Sequence, residues 1–310
     1  MTYLEFFGLR EDPFRIIPDP KYFFPAKTHR FALNLLDYVI EHGEGFCVII
    51  GEPGTGKTTV IRKFLSDIDD NSFLYAFILT PNLTPEEFLK AVFEELNIEN
   101  ISLKEASKND LLKKFREFLL ENVKNGKKIL IIVDEAQNMP IDTLEELRTL
   151  SNLETDKEKL VQIILLGQPE LEEKLKLPQL RQLNQRITSK VFLEPLTKDE
   201  TKKYVIHHIK EAGGEKVKFT NSALSKIYRY SQGIPRIINI LSSRALMAAF
   251  LENSAEVKGK HIDAAKYTLN PDILPGYKES NREFYLIIFL ILLNIVGILY
   301  IVYKLLFEGV

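Results

Sequence analysis

Short hydrophobic runs alternate with amphipathic helical patterns between residues 45 and 193. Residues Pro85–Leu96, with Thr84 as N-cap, and Asp110–Val123 have apolar positions at helical spacing. The apolar runs are short and rich in β-branched residues, so they predict buried strands. Strands that alternate with helices favour a parallel sheet with helices on its faces. The predicted strands are Gly45–Ile50, Phe73–Leu79, Ile129–Val133, Val161–Leu166 and Val191–Leu193.

The pattern changes after Pro195, where the strand signal ends. Glycines at 213, 214, 233 and 259 separate segments with helical periodicity. This region therefore predicts an all-helical second module. Its predicted helices are Asp199–Glu211, Asn221–Ser231, Arg236–Glu252 and His261–Leu269.

The C-terminal part carries a third pattern, an uncharged apolar run from Phe284 to Tyr303. A helix of this length can span a hydrocarbon core of about 30 Å. The alternative, a buried helix of a soluble core, is disfavoured because little chain remains to cover it. Lys278 and Arg282 precede the run and only Lys304 follows it, which places the N-terminal bulk in the cytosol. Residues 1–10 contain no apolar signal-peptide core, so no signal peptide is expected.

These patterns together predict an α/β protein with an αβα parallel-sheet domain, a second, helical module and one C-terminal transmembrane helix. The expected domains are 1–195 for an N-terminal segment plus the parallel-sheet domain, and 196–270 for the helical module. Residues 271–283 form the expected linker, and 284–307 form the expected membrane helix with a short tail to 310.

Composition adds little to this picture. The 310 residues are 45% hydrophobic, which is enough for a substantial core, and the formal charge is −2 with a pI near 6.3. This balance offers no global electrostatic case for nucleic acid, although it leaves a local basic patch open. The single cysteine, Cys47, excludes an intrachain disulfide. The five histidines lack zinc-type spacing with cysteine and are interpreted as ordinary helix residues.

The segment after the first strand reads Gly51-Glu-Pro-Gly-Thr-Gly-Lys-Thr58, which is a P-loop. Backbone N–H groups of such a loop surround the β-phosphate of a nucleoside triphosphate, and the following helix adds its positive N-terminal end. Lys57 supplies a cation, and the Thr58 hydroxyl is a ligand for Mg²⁺. The expected nucleotide-binding residues are Gly51, Glu52, Pro53, Gly54, Thr55, Gly56, Lys57, Thr58 and Thr59.

A second nucleotide signature follows the buried strand Ile129–Val133, where Asp134 and Glu135 are adjacent. Asp134 is expected to hold the Mg²⁺ shell, and Glu135 to polarise the attacking water. Ligands of open α/β sheets lie at the carboxyl ends of strands, where both this pair and the P-loop fall. The cofactors implied are ATP and Mg²⁺, and the reaction is ATP hydrolysis.

Three further side chains are candidates for the same site. Gln168 follows the strand Val161–Leu166 and can reach the γ-phosphate or the attacking water, or it is a simple loop amide. Arg181 and Arg186 precede the last strand, where an arginine can stabilise transferring phosphoryl charge in trans or can lie on a solvated helix face. Arg236 begins a helix of the second module and can approach the phosphates when the lid closes.

Several motifs together resemble the AAA+ ATPases of the ExeA, or general secretion pathway protein A, family. The resemblance covers residues 1 to about 270 and then the apolar segment. The motifs that carry it are Gly51–Thr58, Asp134-Glu-Ala-Gln-Asn138, Leu150-Ser-Asn-Leu-Glu-Thr155, Gly167-Gln-Pro-Glu-Leu171, Leu180-Arg-Gln-Leu-Asn-Gln-Arg-Ile187, Gly233-Ile-Pro-Arg236, Phe6-Phe-Gly-Leu9, Asp12-Pro-Phe14 and Pro18-Asp-Pro20.

The resemblance implies that residues 1–195 contain a P-loop NTPase (AAA+) nucleotide-binding domain of the RecA-like αβα type and that residues 196–270 form a helical lid. It also implies that nucleotide binds between the two and that a neighbour completes the site in a ring or other homo-oligomer. By this analogy Arg186, or failing it Arg181, is the arginine finger. Gln168 is the first sensor and Arg236 the second. The segment from Phe14 to Pro20 lies near the adenine.

The family also implies a place in the cell. Its ATPases work with a second inner-membrane protein in type II secretion, to place the outer-membrane secretin through the peptidoglycan, and related proteins serve pilus-like and exopolysaccharide systems. The expected location is the inner (cytoplasmic) membrane, single-pass, with lipid contact through the C-terminal helix and the ATPase domain in the cytoplasm.

Only residues 304–310 follow the apolar run. Longer members of the family carry a periplasmic peptidoglycan-binding domain there, so we expect this polypeptide not to bind the cell wall directly. Three explanations stay open at this point: a partner supplies that domain, the chain serves another envelope assembly, or the sequence is a truncated product.

The sequence therefore favours a membrane-anchored AAA+ ATPase that drives assembly or remodelling of an envelope secretion or pilus-like complex. One alternative is a nucleotide-switched oligomeric scaffold that hydrolyses ATP only incidentally. Another is a DNA-handling AAA+ ATPase of the transposition-helper type. The apolar C-terminal run and the slightly acidic balance disfavour the second alternative, and we expect no nucleic-acid partner.

Overall fold

The apolar runs form a five-stranded parallel sheet in the computed structural model. The strand order is β2-β3-β4-β1-β5, and each strand pairs in parallel with its neighbours. The prediction of a parallel sheet is confirmed. The strands are β1 Phe46–Gly51, β2 Phe73–Ile78, β3 Lys128–Val133, β4 Gln162–Gly167 and β5 Ser189–Leu193.

The described residues are 2–69, 72–99, 103, 106–154, 159–214, 216–270 and 274–275. Two compact units divide the chain, residues 1–266 and residues 267–310. The predicted membrane segment 284–307 and most of the predicted linker 271–283 lie outside the described residues. Within the part of the chain that is described, no helix combines the length and the apolar character that a membrane crossing requires.

Helices cover both faces of the sheet because its inner strands are apolar on both sides. Successive residues of β1 and β3 face two different hydrophobic clusters. Val48 and Ile131 belong to one cluster, and Ile49 and Ile132 belong to the other. This burial on both faces is typical of parallel sheets. The helices up to β5 are α1 Tyr3–Phe7, α2 Lys27–His42, α3 Lys57–Asp67, α4 Pro85–Glu95, α5 Lys108–Lys124, α6 Ile141–Leu150, α7 Pro169–Leu175 and α8 Arg181–Asn184, with 3-10 turns at Pro20–Tyr22, Ala136–Asn138 and Pro178–Leu180.

In the described part of the chain, four helices follow β5, and we call them the helical module. They are α9 Lys198–Glu211, α10 Asn221–Ser231, α11 Pro235–Leu251 and α12 Gly259–Tyr267. The prediction that this region is all-helical is wrong in one detail. Two-residue strands, β6 Lys218–Phe219 and β7 Glu256–Val257, pair in parallel. They are too short to give a sequence signal because a strand of two residues has no detectable period.

The topology places the carboxyl ends of β1, β3 and β4 side by side. β4 lies between β1 and β3, so the segments that follow these strands meet at one edge of the sheet. Those segments contain the P-loop, the acid pair and Gln168. The candidate chemistry is therefore concentrated where ligands of open α/β sheets bind.

Candidate functional site

The P-loop connects β1 to α3 and turns around two glycines with positive φ angles. Gly54 has φ of 81° and Gly56 has φ of 102°, a region that side chains disfavour. Lys57 is 5% exposed, and its Nζ donates hydrogen bonds to Gly51 O at 2.7 Å and Glu52 O at 3.3 Å. Burial lowers the pKa of Lys57, while Glu135 and Asp134 act in the opposite direction. The loop thus holds a partly desolvated cation against its own backbone.

The two predicted magnesium ligands are in direct contact. Thr58 Oγ1 donates a hydrogen bond to Asp134 Oδ2 at 2.7 Å, across 76 residues of sequence. Asp134 is buried at the end of β3, and its Oδ1 accepts a hydrogen bond from the Glu135 N–H at 2.9 Å. A hydroxyl and a carboxylate are hard oxygen ligands of the kind that Mg²⁺ prefers. These residues fit a magnesium site beside the P-loop.

Glu135 has a left-handed backbone, with φ of 52°, which is uncommon for a residue other than glycine. Its Oε2 accepts hydrogen bonds from Gln168 Nε2 at 2.8 Å and from Gln137 Nε2 at 2.5 Å. The structure therefore brings the predicted base and the predicted sensor together. Gln137 was missed in the sequence analysis, although its position two residues after Glu135 in a family motif was a usable signal.

Arg236 approaches the P-loop through its backbone. Its N–H donates a hydrogen bond to Gly54 O at 3.2 Å. A Cβ on Gly54 would lie 2.7 Å from the Cβ of Arg236, so this close approach requires glycine. Gly233 is equally constrained, because its φ is 80° and an added Cβ would lie 1.9 Å from Leu196 O. The Gly233–Arg236 motif thus fixes the start of α11 against the loop.

The N-terminal segment 13–24, which we call the strap, is held by the helical module and by α3. His208 Nδ1 donates a hydrogen bond to Pro13 O at 2.7 Å, and Asn239 Nδ2 donates one to Arg15 O at 3.2 Å. Arg62 of α3 donates one to Pro18 O at 3.2 Å. The strap therefore connects the two parts of the molecule that flank the P-loop.

His208 lies at the centre of an aromatic cluster. Its ring stacks on Phe14 with an interplanar angle of 7° and lies 4.1 Å from the ring of Tyr204, centroid to centroid. Burial lowers the pKa of His208 to about 4, so the ring is neutral at neutral pH. His208 is a helix residue, as predicted, and it additionally holds the backbone of the strap.

His29 is likewise a helix residue that contacts the backbone of a distant segment. This residue of α2 is buried, and its Nε2 lies 2.8 Å from Thr55 O in the P-loop. The same Nε2 would be 3.0 Å from a Cβ on Gly56. Burial lowers the pKa of His29, which favours the neutral ring as a donor to the carbonyl. One imidazole thereby supports the loop from the side of α2.

A cavity of about 420 Å³ lies between the strap, the P-loop and the helical module. Its size is within the range of small-molecule sites. The predicted residues that line it are Gly54, Gly56, Lys57, Thr58, Thr59, Glu135 and Arg236. Gly51, Glu52, Pro53 and Thr55 belong to the loop but not to this lining. Asp134 and Gln168 reach it through their bonds to Thr58 and Glu135.

The two arginine-finger candidates lie outside this cavity. Arg186 is half-buried, and its Nη1 donates a hydrogen bond to Ser151 Oγ at 3.1 Å. Arg181 is exposed at the start of α8. Neither side chain is among the residues that line the cavity of its own subunit.

Comparison with known proteins identifies the class of this site. Residues 40–175 match the AAA domain family. The chain is 42% identical over 268 residues to General secretion pathway protein A of Aeromonas hydrophila, a match that covers 86% of this chain and 48% of that protein. A second relative, an uncharacterized ATP-binding protein of Methanocaldococcus jannaschii, is 27% identical over 29% of this chain and 33% of its own length. The chain thus spans at most about half the length of these relatives.

Solved structures agree on the fold. Cdc6p from Pyrobaculum aerophilum superposes with a TM-score of 0.63 at 17% identity, over 89% of this chain and 72% of that one. The ORC2 protein of Aeropyrum pernix gives 0.60 at 14% identity, over 83% and 69%. The RuvB Holliday junction branch migration motor of Thermotoga maritima gives 0.55 at 18%, over 82% and 72%. At these identities the likeness establishes the fold alone.

The geometry and the comparisons converge. The cavity has a P-loop on one side and an acid pair beside it, and the resemblance inferred from the motifs is confirmed. The chain is therefore a P-loop ATPase with an AAA domain, and over 86% of its own residues it is similar to General secretion pathway protein A.

Proposed function

We propose that this ATPase is anchored in the inner membrane and uses ATP hydrolysis to assemble or remodel a secretion or pilus-like complex of the cell envelope. The observation that carries the proposal is the 42% identity to General secretion pathway protein A over 86% of the chain. That relative is about twice as long as the matched region, so its complete activity is part of the proposal. The site described above supports the hydrolytic step.

In this proposal the P-loop binds the triphosphate of ATP. Residues 51–59 surround the phosphates, and the Nζ of Lys57 exchanges its contact with Gly51 O for a phosphate oxygen. Thr58 and Asp134 hold Mg²⁺. The metal ion, when bound, neutralises charge that develops on the phosphates.

Hydrolysis is proposed to use Glu135 as the base that polarises water. Its carboxylate is fixed by Gln168 at 2.8 Å, and the same amide has a second N–H that can donate to the water or the γ-phosphate. Preorganised groups of this kind act by orientation, which supplies a large share of the rate enhancement in phosphoryl transfer. Gln168 is therefore proposed to orient the reacting groups.

The lid function is proposed for residues 196–270, with residues 1–195 as the nucleotide-binding part. Arg236 lines the cavity beside Gly54, so its guanidinium can reach the phosphates. The strap lines the other end of the same cavity. We assign that end to the adenine, since the strap supplies apolar side chains such as Ile16, Ile17 and Phe23.

We propose a homo-oligomer in which a neighbouring subunit supplies the arginine finger. Arg186 lies outside the cavity of its own subunit and is held by Ser151. An arginine that acts in trans has this placement. Arg181 is the second candidate.

Membrane anchoring rests on the apolar run within 284–307, which is long enough to span a bilayer. In this proposal the ATPase part lies in the cytoplasm, and the membrane segment contacts an inner-membrane partner. Flotation with vesicles of bacterial phospholipid tests the anchor: the full chain is expected to float, and a chain that ends at residue 283 is expected to stay at the bottom of the gradient. Equal sedimentation of both would refute anchoring.

Two substitutions test the hydrolytic step. Lys57→Ala is expected to abolish ATP binding, while Glu135→Gln is expected to leave binding intact and to lower turnover by roughly 100-fold or more. Fluorescent-nucleotide titration and phosphate release measure the two properties separately. Unchanged turnover in both variants would exclude the proposed site.

Mixing two inactive variants tests the shared site. A Lys57→Ala subunit keeps Arg186 but cannot bind ATP, and an Arg186→Ala subunit binds ATP but lacks the finger. Mixed oligomers are expected to recover hydrolysis, whereas each variant alone is not. If Arg186→Ala alone hydrolyses ATP at the wild-type rate, the same test with Arg181→Ala decides between the two arginines.

Cells that carry the Glu135→Gln variant test whether turnover drives assembly. Loss of the envelope complex is expected, measured as the amount of assembled outer-membrane component. A complex that assembles normally with this variant would favour the nucleotide-switched scaffold instead. Salt-dependent binding of duplex DNA by the wild-type chain would favour a DNA-handling role.

A further inference from the structure

The carboxylate of Glu135 is held by two amides, of which only Gln168 belongs to the predicted site. Gln137 Nε2 lies 2.5 Å from Glu135 Oε2, and Gln168 Nε2 lies 2.8 Å from the same oxygen. Both amides donate to Oε2, and this fixes the plane of the carboxylate. The direction in which the other oxygen, Oε1, points is therefore set by the same two bonds. The orientation of the base is therefore set by two residues rather than one.

A third hydrogen bond fixes which way the Gln137 amide points. Gln137 Oε1 accepts a hydrogen bond from the backbone N–H of Gln168 at 3.1 Å. A backbone N–H can only donate, so its partner must be the oxygen of the amide. The nitrogen of Gln137 must then face Glu135, as it does. The hydrogen-bond network thus determines the orientation of the Gln137 amide.

The backbone around Gln137 is fixed as well. Lys174 Nζ, in the last turn of α7, donates hydrogen bonds to Gln137 O at 3.0 Å and to Met139 O. Gln168 is the N-cap residue of the same helix. Helix α7 therefore holds the 3-10 turn Ala136–Asn138 at both of its own ends. This arrangement leaves Gln137 little freedom to move away from the base.

From this geometry we propose that Gln137 is a positioning residue for hydrolysis, which aims the carboxylate of Glu135 and couples it to the backbone of Gln168. The backbone N–H of Gln168 is bonded to the Gln137 amide, which in turn is bonded to the Glu135 carboxylate. A displacement of Gln168 toward a bound phosphate therefore moves Gln137, and Gln137 moves the carboxylate of Glu135. The proposal rests on the role proposed above for Glu135. Gln137 itself is not a residue that lines the cavity.

Two substitutions of Gln137 separate positioning from structural support. Gln137→Met keeps the length of the side chain and removes both hydrogen bonds. Gln137→Glu keeps an oxygen to accept from the Gln168 N–H and removes the donor to Glu135. If the role of Gln137 is only to support α7, the glutamate variant retains activity. If its role is to aim the base, both variants lose activity.

The measurements are kcat, the Kd for ATP and the melting temperature of the full chain. We expect kcat to fall roughly tenfold or more in both variants, because a misaligned base forfeits much of its contribution. We expect the Kd to stay within about twofold, since neither substitution touches the P-loop. The proposal would be overturned if Gln137→Met kept the wild-type kcat, or if only Gln137→Glu kept it. A Kd for ATP that rises in proportion to the loss of kcat would also overturn it.

Gln168 provides a second readout. If the two amides act through the same carboxylate, the double variant Gln137→Met/Gln168→Met loses less activity than the product of the single losses. Independent roles would give multiplicative losses and contradict the coupling.

The Glu135→Gln variant, assayed beside these, identifies which proposal fails. If Glu135→Gln abolishes turnover and Gln137→Met does not lower it, the role of Gln137 is refuted and that of Glu135 stands. If Glu135→Gln retains turnover, both are refuted.

Discussion

The two ends of the cavity are built in different ways. At the phosphate end, Lys57 and Thr58 come from one loop and helix, and Asp134 and Glu135 from the end of one strand. At the strap end, carbonyls of residues 13, 15 and 18 are held by side chains of the helical module and of α3. The first end depends on residue types at fixed spacing. The second depends on backbone groups that any sequence offers.

This difference predicts that the two ends can be weakened separately. Tripolyphosphate has the phosphates of ATP but no base, so it reports on the phosphate end alone. ATP reports on both ends. A comparison of the two ligands in each variant therefore locates the effect of a substitution.

The largest effect is expected from Lys57→Met. It removes a buried cation that is positioned to bind phosphate, and loss of such a partner costs roughly 100-fold or more in affinity. ATP and tripolyphosphate should weaken equally, as measured by calorimetric titration. Lys63→Met is the matched control: this lysine lies on the same helix, in a surface pair with Asp67, and should bind both ligands as the wild type does. If Lys57→Met lowered the affinity for ATP but not that for tripolyphosphate, the assignment of the P-loop end of the cavity to the phosphates would be contradicted.

A fall in pH should affect the strap end next. Burial lowers the pKa of His208 from 6.5 to about 4. Above pH 6.5 the ring is neutral in folded and unfolded chains, so the stability from this group is complete. As the pH falls from about 6.5 to about 4, the unfolded chain binds a proton and the folded chain does not. The free energy of unfolding therefore decreases, by roughly 3 kcal/mol over the whole interval.

Thermal melts between pH 7.5 and pH 5 check this sign. The variant His208→Phe keeps a ring in the aromatic cluster but does not titrate, so its stability should vary less with pH than that of the wild type. His29, whose pKa burial also lowers, contributes a slope of the same sign in both proteins. A wild-type chain that becomes more stable toward pH 5 would refute the assignment of a neutral His208.

A smaller effect is expected from Asn239→Leu. Asn239 accepts from Tyr204 OH at 3.0 Å and donates to Arg15 O at 3.2 Å. The substitution leaves the buried hydroxyl of Tyr204 and the partly buried carbonyl of Arg15 without this partner, and it should weaken ATP binding about tenfold. Binding of tripolyphosphate should stay unchanged. Equal losses for both ligands would mean that the strap supports the phosphate end as well.

The smallest effect is expected from Arg62→Met, which removes the contact of α3 with Pro18 O. One partly exposed hydrogen bond accounts for about a two- to threefold loss of ATP affinity. The exposed Lys63→Met variant again serves as the control. A loss as large as that of Asn239→Leu would show that the strap depends on α3 as much as on the helical module.

The same contrast explains what could be predicted from the sequence. The strands were predicted because buried parallel strands are continuous apolar runs, and the P-loop and acid pair because their chemistry lies within a few neighbouring residues. Their meeting at one sheet edge followed from the strand ends alone. Gln137 was within a recognised motif, but its role depends on a bond to the backbone of Gln168 that no residue pattern reveals.

The strap could be placed only by resemblance. Pro13 and His208 are 195 residues apart, and Arg15 and Asn239 are 224 apart. Each pair joins a side chain to a carbonyl, so only one partner has a characteristic residue type. The backbone contacts of His29 and His208 could not be predicted for this reason, since a histidine on a helix gives no indication of the backbone group that it holds. The helix α2 was also not predicted, although its burial forms much of one face of the sheet.

The hydrogen bond between Arg236 N and Gly54 O connects the start of α11 to the P-loop. The helix has 17 residues, so at 1.5 Å per residue it is about 25 Å long, and a rotation of about 10° at its start moves its far end by about 4 Å. Phe250, near that far end, packs against Phe6 of the first helix, with ring centroids 5.5 Å apart. A rotation of α11 about Gly233 would therefore shift this contact with the first helix together with the contact to the P-loop.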